Sequence, residues 1–230
     1  MQAKDIMTTN VVTVTPDTRV ERIAGLLLER RISGVPVVDQ DHRVVGIVSE
    51  DDLIRRPESG TERRRSWWLD LLAGTEDRAA EYVKTHGLRA EDVMTRNPAT
   101  VSEDTPVGEI AQMLERRRIK RVPVLRDHKL VGIISRANLL QGLAARKQAG
   151  PAPSADDRSI REQVIETLSR EEWLTHGSFN VTVTDGVVEI WGWVDSEPER
   201  RALKVAIENV PGVRSLVDHL GSVPPYARGA

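Results

Sequence analysis

The chain has 230 residues, 39% of them hydrophobic and 30% charged, with 33 Lys and Arg against 35 Asp and Glu: enough length for more than one domain, with the balance of a soluble globular protein. It has no cysteine, which excludes disulfides, thiolate catalysis and cysteine-ligated metal. It also lacks a run of the roughly eighteen apolar residues that a membrane-spanning helix needs, and its first residues lack the apolar stretch of a signal peptide, so the cytoplasm is the expected compartment.

In chain order, Val11 to Val14 is a short β-branched stretch that predicts a strand. Thr15-Pro16-Asp17 follows as a candidate N-cap, with a proline suited to a first helical turn and an acid placed for the helix dipole. Val20, Ile23, Ala24 and Leu27 then fall at i, i+3, i+4 and i+7, the buried stripe of a helix. Val35 to Val38 and Val44 to Val48 are continuous apolar runs, as in strands covered on both faces, with a turn at residues 39–43. Ser49 opens a second helix running through Leu53.

The same order returns 87 residues later. Residues 4–38 align without gaps on 91–125, and eighteen of the thirty-five pairs are identical. Asp5-x-Met7-Thr8 becomes Asp92-x-Met94-Thr95, and Val35-Pro36-Val37 becomes Val122-Pro123-Val124. After a one-residue deletion, Gly46-Ile-Val-Ser49-x-x-Asp52-Leu53 matches Gly132-Ile-Ile-Ser135-x-x-Asn138-Leu139. The stripe recurs as Val107, Ile110, Ala111 and Leu114. Two copies of one strand-helix-strand-strand-helix unit are therefore expected, packed by pseudo-twofold symmetry, with any chemistry in two related sites.

Between the copies, Arg63-Arg-Arg-Ser-Trp67-Trp68-Leu69-Asp-Leu71-Leu72 predicts the start of a helix, and Glu76 to Lys84 a second. The tryptophans after three arginines fit an interfacial membrane anchor, but Leu71 and Leu72 at i+4 favour a helix packed on the module or on a partner. Gly150-Pro-Ala-Pro-Ser154 reads as a linker. Beyond it come a helical stripe of Ile160, Val164, Ile165 and Leu168, an alternating, half-buried strand at residues 179–183, and Asp185-Gly186 as a hairpin signal. A returning strand runs from Val187 to Val194, where Gly192 suggests a bulge or close backbone packing. Pro198 to Val210 forms a helix and Gly212 to Val217 a last strand. The fold class is α/β and α+β: two repeats plus a small αββαβ unit. The expected boundaries are 1–56 and 88–148 for the repeats, 57–87 for a helical insert, 149–154 for the linker, 155–222 for the small domain and 223–230 for a tail. Charge divides with them: residues 1–154 carry a balance of +3 and residues 155–222 of −6.

The candidate chemistry lies in the two heptads. A carboxylate or amide three residues after a serine can take hydrogen bonds from a ribose diol, and the serine hydroxyl with adjacent helix amides can hold phosphate. The same residues would also form an ordinary helix cap worth about 1 kcal/mol. The copies differ: Asp52 against Asn138, and Ser33-Gly34 against Lys120-Arg121, so the second site is expected to prefer more phosphates. A solvated basic helix end is the plain alternative for Lys120 and Arg121. The five histidines show no metal spacing, and His42 and His128 read as solvated turn residues. Trp191 and Trp193 share a strand face and fit core packing or an exposed patch. Arg200, Arg201 and Lys204 could form a local basic patch in an acidic domain whose charge otherwise opposes anionic lipid. There is no Walker loop, Gly-x-Ser-x-Gly or catalytic carboxylate pair, so no enzyme is expected.

The repeats resemble CBS domains, of the cystathionine-β-synthase type, whose tandem pair is called a Bateman module; the residues that carry this are Ile6-Met7-Thr8, Thr13-Val14, Val35-Pro36-Val37 and the paired heptads. Residues 155–222 look like a BON domain, on Val181-x-Val183-x-Asp-Gly186, Val188-x-Ile190-x-Gly192-x-Val194 and Val210-Pro-Gly212-Val213. The resemblance implies an adenosine-containing ligand, with no obligatory cofactor. It gives the ribose role to Asp52 and Asn138 and the phosphate role to Ser49 and Ser135. Thr13 and Thr100 would lie beside the adenine, and Val35, Pro36, Val122, Pro123, Lys120 and Arg121 along the sites. It also implies a homodimer of regulatory modules, with a protein or phospholipid partner met through residues 155–222. The alternative is an adaptor in which the repeats are scaffold only; nucleic acid is not an expected partner.

Overall fold

The computed structural model describes residues 1–54, 82–148, 155–174 and 179–222. The segment from Arg63 to Leu72, the linker from Gly150 to Ser154, His176 and the tail lie outside the described residues. The chain divides into two compact units, Val12–Ala99 with His128–Leu130, and Met1–Val11 with Thr100–Asp127 and Val131–Ala230. Each is built on one repeat, yet takes the opening segment of the other.

In the first unit, α2 (Val20–Glu29) buries Val20, Ile23 and Leu27, the stripe expected from its spacing. It starts later than Thr15. The Thr15 and Thr18 side chains and backbones close a turn on themselves (Thr15 N–H to Thr18 Oγ1 at 3.0 Å, Thr18 N–H to Thr15 O at 3.1 Å), so the threonine caps that turn and not the helix. The expected strand Val11 to Val14 shrinks to one residue: Val14 donates to Pro36 O and accepts from Val38 N–H, and no neighbour extends the ladder. β1 (Gly34–Val38) is buried throughout. β2 (Val44–Ser49), its antiparallel partner, alternates: Gly46 and Val48 are buried while Val45 and Ile47 are half-buried, so only one of its faces is fully covered. His42 sits in the intervening turn at φ 64°. α3 (Glu50–Ile54) follows as expected.

The unit is completed by α4 (Ala90–Val93) and β3 (Thr95–Arg96), which belong to the second repeat in sequence. Ala90, Val93 and Met94 join Ile23, Val35, Val37 and Val48 in one core, and β3 pairs with β2 through Ile47 and Thr95. The reason is local. Gly46 has no side chain, and the Met94 side chain lies where its Cβ would be.

The second unit repeats the pattern. α1 (Ala3–Ile6), from the start of the chain, packs with β4 (Val101–Ser102), α5 (Val107–Arg116), β5 (Arg121–Arg126) and β6 (Lys129–Ser135). Thr8 and Ile133 exchange backbone hydrogen bonds of 3.0 Å, and Met7 fills the space over Gly132 as Met94 does over Gly46. β4 pairs in parallel with β5, and α6 (Arg136–Gln148) leaves the end of β6.

The same unit holds the small domain: α7 (Ala155–Ser169), β7 (Asn180–Thr184), β8 (Val187–Val194), α8 (Glu197–Glu208) and β9 (Ser215–Ser222). Asp185 and Gly186, at φ 50° and 73°, make the two-residue hairpin that their sequence predicts. β9 lies parallel to β8, and their pairing runs through Gly192 without a slip, so the expected bulge is absent. Ser196 caps α8 by accepting from Glu199 N–H at 3.2 Å. β7 is buried on both faces, against the expected half-buried alternation. One face, with Val181 and Val183, packs on the domain's core. The other carries Asn180, which donates to Gln141 of α6 at 2.7 Å; α1 also lies against this strand. Trp191 stacks on His219 at 4.7 Å between ring centroids, while Trp193 is 47% exposed. Arg200 and Lys204 both pair with Asp218, at 2.8 and 2.9 Å. Burial raises the Asp218 pKa, but hydrogen bonds from Arg200, Leu220 N–H and Lys204 outweigh it and hold the carboxyl well below the usual range.

Two outcomes follow. A Cβ at Gly132 collides with Met7, so Gly132→Ala should cost about 1–3 kcal/mol by overpacking. Combining it with Met7→Ala should cost less than the sum of the two, as read by urea unfolding. Asp218 keeps its charge to lower pH in the folded state than in the unfolded one. Its contribution is therefore complete above the ordinary carboxylate pKa of about 3.9 and drains away as pH falls below it. Asp218→Asn should flatten the acid limb of the stability curve there and lower stability at neutral pH.

Candidate functional site

The first heptad ends β2 and starts α3. Ser49 is the residue before the helix and Asp52 its third. Asp52 Oδ2 accepts the Ser49 backbone N–H at 2.9 Å and its hydroxyl at 2.7 Å. This is half of a capping box, with the serine hydroxyl turned to the carboxylate. The other oxygen, Oδ1, faces the half-exposed Lys84 Nζ at 3.4 Å, a pair whose attraction is modest. Sequence reasoning did not single out Lys84, which lies on the helical stretch at residues 82–86. Asp52 keeps 13% of its side chain exposed. Its carboxylate thus has unused acceptor capacity that reaches solvent.

Around it, Glu50 N–H donates to Ser33 O at 3.2 Å, and Gly34 pairs with Ser49, so Ser33-Gly34 stands beside the heptad. Thr13 is half-buried and adjoins Val14, which bonds to Pro36. Val35 and Pro36 are buried, with the Val35 side chain in the core; they shape the site through their backbone.

The second heptad has the same frame but a different end. Asn138 Oδ1 accepts the Ser135 N–H at 2.8 Å and hydroxyl at 2.6 Å, as Asp52 does for Ser49. Its Nδ2 donates to Ile6 O at 3.0 Å and to Thr8 Oγ1 at 3.1 Å. Asn138 is 4% exposed, and both its oxygen and its amide hydrogens are engaged. Arg136 N–H donates to Lys120 O at 3.2 Å, which brings Lys120-Arg121 beside Ser135; Lys120 is exposed and Arg121 half-buried. Thr100 is half-buried next to the Val101–Val124 pair, and Val122 and Pro123 are buried like their counterparts. The structure therefore gathers Thr13, Val35, Pro36, Ser49 and Asp52 in one unit, and Thr100, Lys120, Arg121, Val122, Pro123, Ser135 and Asn138 in the other.

Two arginines outside both heptads reach the opening segment around α1. Asp5, 3% exposed, accepts from Arg158 Nε at 2.8 Å. Arg161, 6% exposed, donates to Met7 O at 2.6 Å and to Val181 O at 2.8 Å. Burial lowers the Arg161 pKa to about 10, so it stays cationic at neutral pH. The only signal for these arginines in the sequence is their place on the edge of the Ile160, Val164 stripe, which does not say what they meet. Among the described residues no group of His, Asp and Glu is placed to hold a metal, and no helix is long and apolar enough to cross a membrane.

Comparison with known proteins adds three findings. CBS-domain profiles match residues 3–59 and 90–145, and a BON-domain profile matches 156–221. The CBS domain-containing protein CBSX1 of Arabidopsis thaliana, a chloroplastic protein, is 36% identical over 60% of this chain and 61% of its own length. An uncharacterized protein of Methanocaldococcus jannaschii, MJ1426, is 29% identical over 62% of this chain and 91% of its own. The chain spans about three fifths of the length of CBSX1 and of the related CBSX2. The crystal structure of CBSX2 in complex with AMP superposes with a TM-score of 0.56 at 30% identity, over 64% of this chain and 98% of that one. The exchanged opening segments, the paired heptads and these matches agree: the chain belongs to the CBS-domain family, as a tandem CBS pair followed by a BON domain.

Proposed function

We propose that this chain is a regulatory module that binds an adenine nucleotide of the AMP, ADP or ATP type through the Ser-x-x-Asp heptad of its first repeat. The observation that carries this is the Asp52 carboxylate. Its Oδ2 is fixed by Ser49, while Oδ1 faces only a half-exposed lysine among the contacts described for it. A ribose 2′,3′-diol presents two hydroxyl donors, which a pre-positioned carboxylate accepts with charge-assisted strength. A base would lie near the Pro36 backbone on β1 and Thr13, which precedes the bridge residue Val14, and Lys84 supplies a cation for phosphate once it leaves Asp52. The solved relative holding AMP supports the same ligand class. Binding would act by its differential affinity for two arrangements of the chain, with the BON domain as output or attachment and a homodimer as the working assembly.

A thermal-shift panel of AMP, ADP, ATP and S-adenosylmethionine, on protein refolded free of copurified nucleotide, tests the reading. A ligand at a hundred times its dissociation constant should stabilise the fold by about 2.7 kcal/mol. Asp52→Ala should weaken that ligand at least about tenfold, the loss expected for a charge-assisted pair, with a drop in stability of about 1 kcal/mol from the lost cap. Silence across the whole panel would sink the sensor reading and leave the scaffold one.

A further inference from the structure

We infer that the second heptad is occupied by the chain itself: Asn138 clamps the Asp5–Thr8 segment on which the BON domain is docked, so that nucleotide enters this second site only when that docking loosens. The clamp rests on hydrogen-bond geometry alone, and its consequence for nucleotide entry rests on the nucleotide reading above.

A side-chain amide has two hydrogens to give and two lone pairs on its oxygen. Asn138 gives both hydrogens to the segment, at Ile6 O and Thr8 Oγ1, and both lone pairs to Ser135. A ribose diol finds nothing there to bond unless one of these is broken. Asp52 has no hydrogen to give, so it cannot hold the backbone of α4 in this way. The asparagine thus converts a repeat position from ligand acceptor to internal fastener.

What it fastens is also the seat of the BON domain. Within four residues, Asp5 receives Arg158, Ile6 O receives Asn138, Met7 O receives Arg161, and Thr8 receives Asn138 again. Arg161 bridges directly from Met7 O to Val181 O of β7. The counterpart of Asp5, Asp92, accepts the Arg89 N–H as Asp5 accepts the Gln2 N–H, and Leu88 N–H besides; among the described residues the arginine side-chain pairing belongs to Asp5. The docked face of β7 is also imperfectly satisfied. Asn180 Oδ1 and Thr182 Oγ1, on one side of that strand, are buried without a hydrogen-bond partner among the described residues. Burial of unpaired polar atoms is unfavourable, and it makes the docked state one that a competing ligand can displace.

The test uses the full chain and two variants, read by calorimetric titration with ATP and AMP and by hydrogen exchange. Wild type should bind one nucleotide per chain. Asn138→Asp keeps the acceptor for Ser135 but gives up both donors to the segment. It should raise exchange rates about tenfold in residues 3–8 and in β7, and a second equivalent of nucleotide should appear. Thr8→Val removes a single acceptor at a half-buried position and should do the same more weakly, which guards against a fold lost in the first variant. Saturating wild type well beyond the first equivalent should itself raise exchange in β7. Two equivalents on wild type with β7 protection unchanged would overturn the inference, as would variants whose exchange in residues 3–8 and β7 matches wild type. If neither nucleotide binds any form, the reading of the first site falls, while the exchange comparison still decides whether Asn138 is the clamp.

Discussion

The architecture depends on a methionine laid over a glycine, twice. Met94 covers Gly46 and Met7 covers Gly132, each thioether in the volume that a side chain on the strand would need. This lets the opening segment of one repeat close the core of the other, with Ala90 and Val93 in one case and Ala3 and Ile6 in the other. Methionine suits the role, being unbranched and able to follow an irregular gap. The consequence is that neither repeat has a complete core of its own. The segment that begins each one must be supplied from elsewhere in the chain, and whatever grips that segment acts on a core far away in sequence.

Duplication kept this frame and let one atom differ. At the third helical position, Asp52 and Asn138 both accept from the preceding serine with nearly the same geometry. The helix cap is satisfied either way, which is why the substitution leaves the fold unchanged. Only the second heteroatom of the side chain is free to take a new role. As oxygen it is an acceptor that faces a lysine; as nitrogen it is a donor that reaches the exchanged segment. A cap that both residues satisfy is compatible with two unequal sites.

Local signals explain what was legible from residues alone. The helical stripes, the Val-Pro strands, the Asp185-Gly186 hairpin and both heptads depend on neighbours within a few positions, and all were visible. The helix start at Thr15 misled because threonine, aspartate and a second threonine satisfy each other before any helix amide is reached. β7 looked half-buried because its sequence alternates, Asn180, Thr182 and Thr184 against Val181 and Val183, and nothing in that pattern says that the polar face will be covered by α6 and α1. The exchange of opening segments was hidden for a stronger reason. It pairs residues about 125 positions apart, as at Thr8 and Ile133, and a repeat in register is equally consistent with each copy closing on itself. Lys84, Arg158 and Arg161 were invisible as site residues because a charge on a helix reads as solvated until its partner is known.

The charge of the BON domain sets what kind of surface it can use. Residues 155–222 carry a balance of −6. The basic patch that could have reversed this locally is largely spent, since Arg200 and Lys204 both pair with Asp218 and hold its carboxylate ionised. Arg158 and Arg161 are turned inward, onto Asp5 and Met7 O. Attraction to an anionic membrane depends on cations free near the surface, at about 1 kcal/mol each, and five of the seven in this domain, Arg170 on Glu166 included, are engaged within the chain. Two of them, Arg158 and Arg161, are held by the opening segment of the chain. What the two arginines do meet is a carboxylate and a carbonyl in fixed positions, both on the opening segment of the same chain.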